Sequence, residues 1–359
     1  MPEPPQPIAL PLAGRPITVF GGQGSALRYV AALRDSRAHV TVVAAEVVAS
    51  IADLADRGLL TWEQHEYTPS DLDCPWLVVA ATSDPELDKQ IETDAESMAK
   101  WCLRPEPVGA APRSRSGRVT LVGGGPGDPG LLTVAGRDAL READVIVTDR
   151  LAPLACLVEA RSAALILDVG KVPRGRSTPQ EEVNGLLVRH AGAGRQVVRF
   201  KGGDSFLFGR GGEELQACMA AGIDVRVIPG VTSALAVPAA ANVPVTHRGL
   251  NQGFTVVSGH VPPDDPRSTV DYRALAMSGT DLVLLMAVAT LPAITCALVD
   301  GGLDPATPAV TVADGTLPSQ RVVRGTVTTI ADEVRTAGVG APAITVIGAV
   351  AGFDPAELR

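Results

Sequence analysis

The stretch Thr120-Leu-Val-Gly-Gly-Gly-Pro-Gly-Asp-Pro-Gly-Leu-Leu132 decides the fold class. A short apolar run that suits a strand passes into a turn holding five glycines, two prolines and one aspartate. Gly123, Gly124, Gly125, Gly127 and Gly130 allow φ > 0 and let a bound molecule approach the backbone, while Pro126 and Pro129 fix φ and remove donors. No Lys follows the glycines, which excludes G-x-x-x-x-G-K-[ST], and a helix starting near Leu131 comes too late for a standard dinucleotide turn. Spacing alone is equally compatible with a βα turn that holds no ligand.

Outward from this turn, apolar runs alternate with helical stretches along the whole chain, the pattern of α/β architecture. Towards the N-terminus, Ile17 to Phe20, His39 to Val43 and Leu77 to Ala81 read as strands, with helices near Ser25 to Arg34, Val47 to Arg57 and Leu87 to Lys100. A Pro-, Gly-, Ser- and Arg-rich linker follows, whose composition supports no core. Beyond it, strands are expected at Val119 to Val122, Val145 to Thr148, Leu165 to Asp168, Gln196 to Phe200 and Val225 to Ile228. Four more are expected at Phe254 to Ser258, Leu282 to Met286, Ala309 to Ala313 and Ala343 to Ile347. Ligands in open α/β sheets bind outside the carboxyl ends of strands. Asp149, Lys171, the turn Gly202 to Asp204 and the turn Gly230 to Ser233 each follow such a strand, so five strand ends are expected to converge on one pocket.

The 359 residues suit two or three compact units, and 46% hydrophobic content is ample for their cores. The longest apolar run, Leu282 to Ala289, is far shorter than the roughly 18 residues of a membrane span. The N-terminal Met-Pro-Glu-Pro-Pro-Gln-Pro lacks the cationic start and apolar run of a signal peptide, so a cytoplasmic protein with no membrane or nucleic-acid partner is expected. Cys74, Cys102, Cys156, Cys218 and Cys296 are odd in number and scattered, which reads as reduced structural cysteine. With five His and none at ligand spacing, no metal is expected. Charge divides unevenly: up to Pro112 there are 8 Lys plus Arg against 16 Asp plus Glu, and 23 against 24 thereafter.

The ordered motifs resemble the uroporphyrinogen-III C-methyltransferase family, which uses S-adenosylmethionine at the entry to siroheme and cobalamin synthesis. The matches run from Gly123-Gly-Gly-Pro-Gly-Asp128 through Asp149-Arg150-Leu151, Gly170-Lys171, Val198-Arg-Phe-Lys-Gly-Gly-Asp204 and Phe208-Gly-Arg-Gly-Gly-Glu-Glu214. They continue through Pro229-Gly-Val-Thr-Ser-Ala234, Pro244-Val-Thr-His-Arg248, Ser258-Gly-His260 and Asp314-Gly-Thr316. The resemblance covers residues 117 to 355 and implies a two-lobed tetrapyrrole methylase fold, with lobes at 118–228 and 229–359, the cofactor between them, and a homodimer. It implies Pro126, Gly202, Gly203, Asp204, Leu207, Thr232, Ser233, Met286 and Gly315 as S-adenosylmethionine contacts, Asp149 as proton acceptor and Lys171 as proton donor. A helix-capping Asp149, an ion-paired Lys171 and a core Met286 stand beside those roles. Uroporphyrinogen carries eight carboxylates, and Arg150, Lys171, Arg174, Arg176, Lys201, Arg210 and Arg248 cluster around the motifs; of these Arg150, Arg210 and Arg248, with His247, are candidates to hold it. A solvated basic face and a satisfied loop histidine are the alternatives. The chain departs from the family at Thr148, Val172, Ser205 and Ala287, where a Tyr, an Arg, a Pro and a Gly are usual; none of these is a group that methyl transfer needs.

Residues 1–105 resemble the Rossmann-like precorrin-2 dehydrogenase part of siroheme synthase, through Val19-Phe-Gly-Gly-Gln-Gly-Ser-Ala-Leu-Arg28, Ala80-Ala-Thr-Ser-Asp84 and Ala95-Glu-Ser97. Three departures make NAD doubtful. No carboxylate ends the second strand, where Val43-Ala44-Ala45 precede Glu46. The family's proposed catalytic Asp aligns with Glu106 in the linker, placed at 106–117, and the roughly one hundred residues that follow in siroheme synthases are missing. A remnant or regulatory module is expected. The alternatives are a bifunctional siroheme synthase with residual dehydrogenase activity, a methylase of a later corrinoid precursor, and a non-catalytic S-adenosylmethionine or tetrapyrrole binder.

Overall fold

Three five-stranded sheets carry the chain, and most of their strands coincide with its apolar runs. The structure is a computed structural model that describes residues 10–104, 116–170 and 178–353. In the first sheet β1 (Pro16–Phe20), β2 (His39–Val43), β3 (Thr61–Glu63), β4 (Leu77–Ala80) and β5 (Trp101–Leu103) lie in the order β3-β2-β1-β4-β5, all parallel. Parallel strands covered on both faces read as unbroken apolar runs, and Val19, Phe20, Val78 and Val79 are fully buried. The helices of this module are α1 (Gly24–Asp35), α2 (Ala49–Asp56) and α3 (Pro85–Ser97). Asp84 starts α3 two residues earlier than its apolar pattern suggests: Oδ1 accepts from the N–H of Glu86 at 3.0 Å and of Leu87 at 3.4 Å, with Pro85 preset for the first turn.

The second sheet has the order β10-β6-β9-β7-β8, from β6 (Arg118–Gly123), β7 (Val145–Thr148), β8 (Leu165–Asp168), β9 (Gln196–Lys201) and β10 (Asp224–Ile228). The pairs β10–β6, β7–β8 and β7–β9 are parallel. Its helices are α4 (Val134–Glu142), α5 (Gln180–Gly192) and α6 (Gly211–Ala220). The helix after the glycine-rich turn begins at Val134, not near Leu131, because Pro129–Leu131 forms a single 3-10 turn that Asp128 caps through Gly130 N–H at 2.7 Å. A further 3-10 helix, Leu154–Glu159, follows β7.

In the third sheet β11 (Phe254–Ser258) and β12 (Asp281–Leu285) are parallel, while β13 (Pro308–Ala313), β14 (Arg321–Thr326) and β15 (Ala343–Ile347) add antiparallel pairings in the order β11-β12-β15-β13-β14. Its helices are α7 (Ser233–Ala240), α8 (Tyr272–Ala276), α9 (Leu291–Asp300) and α10 (Ile330–Thr336). The strand period of two divides β12 between two cores: Leu282 and Leu284 pack with Leu291, Ile294 and Leu298, whereas Val283 and Leu285 pack with Val237, Val312 and Val346. Each fully buried Leu or Val of this kind contributes about 1.5–3 kcal/mol.

The described residues form two compact units. One is drawn from Met1–Val122, Val134–Phe200 and Gly211–Ile228, the other from Gly123–Thr133, Lys201–Arg210 and Pro229–Arg359. The loops that follow β6 and β9 therefore belong with the third sheet. Three strands escape the sequence reading: β3 and β5 are three-residue edge strands, and β14 carries Arg321 and Arg324 on a mostly exposed edge. The Pro- and Gly-rich stretch from Pro229 to Gly253 contains α7. Among the described residues no helix is long and apolar enough to cross a membrane, and the five cysteines are unbridged.

Candidate active site

In the second unit three loops meet main chain to main chain. Gly124 N–H donates to Lys201 O at 2.7 Å, Gly125 N–H to Gly203 O at 3.1 Å and Gly203 N–H to Gly125 O at 2.6 Å. A Cβ on Gly123 would lie 2.5 Å from Gly230 N, and one on Gly230 would lie 2.5 Å from the Gly123 carbonyl carbon, so no side chain fits at either position. Asp204 ties the crease together: Oδ1 accepts from Phe206 N at 2.8 Å and Leu207 N at 3.2 Å, and Oδ2 accepts from Gly230 N at 3.1 Å. Thr232 caps α7, its hydroxyl accepting from Ala234 N at 3.2 Å. A Cβ on Gly203 would stand 3.6 Å from Ser233 N, which places the α7 N-terminus directly across the crease.

The same unit holds a group of strained residues. Phe208, Arg210, Met286, Asp314 and Thr316 have φ of 55°, 60°, 57°, 50° and 72°. Left-handed backbone costs a non-glycine residue energy, most of all a β-branched one such as Thr316, and such strain collects where a site is built. Met286 follows five buried residues of β12 yet is 45% exposed, so it is not a core residue. Gly315 sits between two strained neighbours against the Val237 side chain, Thr316 Oγ1 accepts from Asp128 N at 3.1 Å, Leu207 packs on the β12–β13 core, and Pro126 and Gly202 are half-buried. All nine cofactor candidates thus lie in one unit.

Asp149 lies in the first unit, at the end of β7. Arg199 Nη2 donates to its Oδ2 at 2.9 Å while Arg199 Nε donates to Glu214 Oε1, also at 2.9 Å, and Nη1 donates to the carbonyls of Val147 and Phe200 at 3.3 and 3.2 Å. The Arg199 side chain is 6% exposed and that of Glu214 is 0% exposed. Burial works against the Arg199 charge, but Asp149 and Glu214 more than offset it and its pKa is raised. Neither Arg199 nor Glu214 is among the site residues expected from the sequence. A charged residue inside the apolar run Val197-Val198-Arg199-Phe200 was the available signal. The loops after β7 and β8 also meet, since a Cβ on Gly170 would lie 3.3 Å from Arg150 N. Lys171, Arg174, Arg176 and Glu106 lie outside the described residues.

The expected substrate cations have diverse surroundings. Arg150 Nη1 donates to Asp53 of α2 at 3.1 Å, Lys201 is buried in β9, and Arg210 and Arg248 are exposed. The His247 ring lies 4.9 Å from that of Phe353, and its Nδ1 is buried without a hydrogen-bond partner. A cavity of about 530 Å³ beside β11, lined by Phe208, Val257, Arg267, Val270 and Leu275 among others, touches none of the candidates. Glu63, His65 and Asp71 come together on the surface of the N-terminal module, with Glu63 and His65 exposed.

The model of tetrapyrrole (corrin/porphyrin) methylases matches residues 118–331. The chain belongs to that family. A model of putative NAD(P)-binding matches residues 8–105. The methylase is 43% identical to the uroporphyrinogen-III C-methyltransferase of a Synechocystis strain over 68% of this chain and 92% of that protein. It is 32% identical to the siroheme synthase of Neisseria meningitidis serogroup C over 97% of this chain and 92% of that protein. The latter alignment runs over 446 positions against a chain of 359 residues, so about one hundred positions have no counterpart here. Among solved structures, the uroporphyrin-III C-methyl transferase of Thermus thermophilus complexed with S-adenyl homocysteine is 40% identical, with a TM-score of 0.56, over 65% of this chain and 98% of that one. A cobalt precorrin-4 methyltransferase of cobalamin biosynthesis is 27% identical, with a TM-score of 0.61, over 69% of this chain and all of that one.

Proposed function

We propose that this methylase carries methyl groups from S-adenosylmethionine to two pyrrole carbons of uroporphyrinogen III, giving precorrin-2 on the route to siroheme and cobalamin. The observation that carries the reading is the crease of Gly125, Gly203 and Gly230, with Gly203 facing the α7 N-terminus, in the unit that also holds an exposed Met286 at positive φ. The crease fits the donor: backbone N–H groups at a helix start suit a carboxylate, and the exposed Met286 with the partly buried Leu207 suits an apolar adenosyl group. Bound there, S-adenosylmethionine supplies an activated methyl on a positively charged sulfur.

The remaining work belongs to the chain. Pro126, Gly202, Gly203, Asp204, Leu207, Thr232, Ser233, Met286 and Gly315 hold the donor, and rigid main chain restricts its orientation. As the pyrrole carbon takes the methyl, the ring must lose a proton. Asp149, oriented by Arg199, accepts that proton and Lys171 donates one where the macrocycle needs it. Arg150, Arg210, His247 and Arg248 receive substrate carboxylates, for which the guanidinium fork is suited. The higher identity to uroporphyrin-III methyltransferases than to the cobalt precorrin-4 enzyme, 40% against 27%, favours the earlier substrate. We take the working form to be a cytoplasmic homodimer, which light scattering of the purified chain tests.

Anaerobic incubation with uroporphyrinogen III and S-adenosylmethionine, followed by addition of NAD, tests the function. A product heavier by two methyl groups whose spectrum NAD leaves unchanged is expected. An unmodified tetrapyrrole would refute the reading.

A further inference from the structure

The family model and the strand order of the N-terminal module imply a nicotinamide dinucleotide, but the residues at that edge do not fit one. Neither frame of the turn is complete: Gly21-x-Gln23-x-x-Ala26 lacks the second glycine, and Gly22-x-Gly24-x-x-Leu27 lacks the small third residue. The glycines are already filled by protein. A Cβ on Gly21 would strike the Ala81 carbonyl, one on Gly22 the Glu46 carbonyl, and one on Gly24 the carbonyl of Ile166 in β8 of the methylase. A carbonyl oxygen against the first turn of α1 repels a pyrophosphate where a nucleotide site offers N–H groups. The Ala44 carbonyl at the end of β2 is taken by Trp62 Nε1 at 2.9 Å, and no carboxylate ends that strand to hold a ribose.

Instead, that edge grips the methylase. Arg28, 9% exposed, donates from Nη2 to the carbonyls of Ala160 at 2.6 Å and Arg161 at 3.0 Å and from Nη1 to that of Ser162 at 3.2 Å, closing the end of the 3-10 helix Leu154–Glu159. Asp168 at the end of β8 accepts from Ser50 N at 2.8 Å, capping α2 from outside the module, and its other oxygen accepts from Gly170 N at 2.9 Å. Asp53 on α2 holds Arg150 at 3.1 Å, and Arg150 directly follows Asp149, whose Oδ1 accepts from Leu151 N at 3.2 Å. The same few residues of the module thus reach the loops after β7 and β8.

We infer that the N-terminal module binds no dinucleotide and serves the transferase instead, docked through its former dinucleotide edge, with Asp53 as a positioning residue that fixes Arg150 and the Asp149 turn. This rests on the methyltransferase reading above. The test uses the full-length protein, its Asp53→Asn and Asp53→Glu variants, uroporphyrinogen III kinetics, and calorimetry with S-adenosylhomocysteine and with NAD. For a partly exposed ion pair, Asp53→Asn is expected to raise KM for the tetrapyrrole roughly fivefold. S-adenosylhomocysteine affinity should stay unchanged, Asp53→Glu should recover most of the loss, and NAD should give no binding heat. NAD binding by the wild-type chain, or unaltered kinetics in Asp53→Asn, would overturn the inference. Absence of methyl transfer by the wild-type protein would instead refute the function beneath it.

Discussion

Arg199 and Asp149 form an ion pair at 2.9 Å at the end of β7, and the same guanidinium holds Glu214, whose side chain is fully buried, at 2.9 Å. One rigid fork thus links a carboxylate on a loop to a carboxylate on α6, and neither can shift without breaking a charge-assisted bond. Replacing Arg199 by Met would leave Glu214 buried without its main counter-charge, a change that costs about 3–5 kcal/mol in comparable sites. Arg199→Met should therefore lose stability on that scale in urea melts and lose activity. Arg199→Lys should fold better than Met but still turn over slowly, since an ammonium cannot bridge two carboxylates in the same plane.

Asp149 itself has 27% of its side chain exposed, and the role proposed for it is in proton transfer rather than folding. Asp149→Asn should lower kcat about 100-fold, the scale of general-base catalysis. Calorimetric affinity for S-adenosylhomocysteine should remain unaltered, because the residues proposed to hold the donor are others.

Gly315 is pressed against Val237, with a Cβ at 315 falling 2.7 Å from Val237 Cγ2. Gly315→Ala overpacks the site and should cost about 1–3 kcal/mol, seen as weaker S-adenosylhomocysteine binding or a lower melting midpoint. Val237→Ala removes the clashing methyl groups, so the double variant should recover part of what Gly315→Ala loses. Strict additivity of the two would argue against the contact.

Acid should weaken the fold partly through His190 in the last turn of α5. Burial, then Arg195 and Arg189, hold its pKa below the ordinary 6.5. The unfolded chain therefore binds the proton more readily, and the stability that neutral His190 supplies above about pH 6.5 is lost as pH falls towards its folded value. His190→Gln should flatten the pH dependence of the melting midpoint on the acid side of 6.5 and leave it unchanged above.

The sequence made most strands legible because parallel strands buried on both faces read as short apolar runs, as in Val145-Ile-Val-Thr148. The glycine-rich turn reads as a place where a bound molecule approaches the backbone; what the structure shows there is main chain against main chain, at Gly123, Gly203 and Gly230. What stayed hidden were pairings without a local pattern. Thr61–Glu63 and Trp101–Leu103 are too short to show periodicity, and Arg321–Thr326 is an edge strand with Arg at both ends of its first four residues. Arg199 was visible as a misplaced charge, but Asp149 and Glu214 lie 50 and 15 residues away in the chain. The grip of Gly24 on Ile166 likewise joins segments that no spacing rule connects.

The number of methyl groups delivered tests the proposed methyl transfer most directly. With methyl-labelled S-adenosylmethionine and uroporphyrinogen III under anaerobic conditions, mass spectrometry of the tetrapyrrole should show two labelled methyls and an equal count of S-adenosylhomocysteine released. A tetrapyrrole that carries no label, while a later corrinoid precursor becomes labelled under the same conditions, would contradict it.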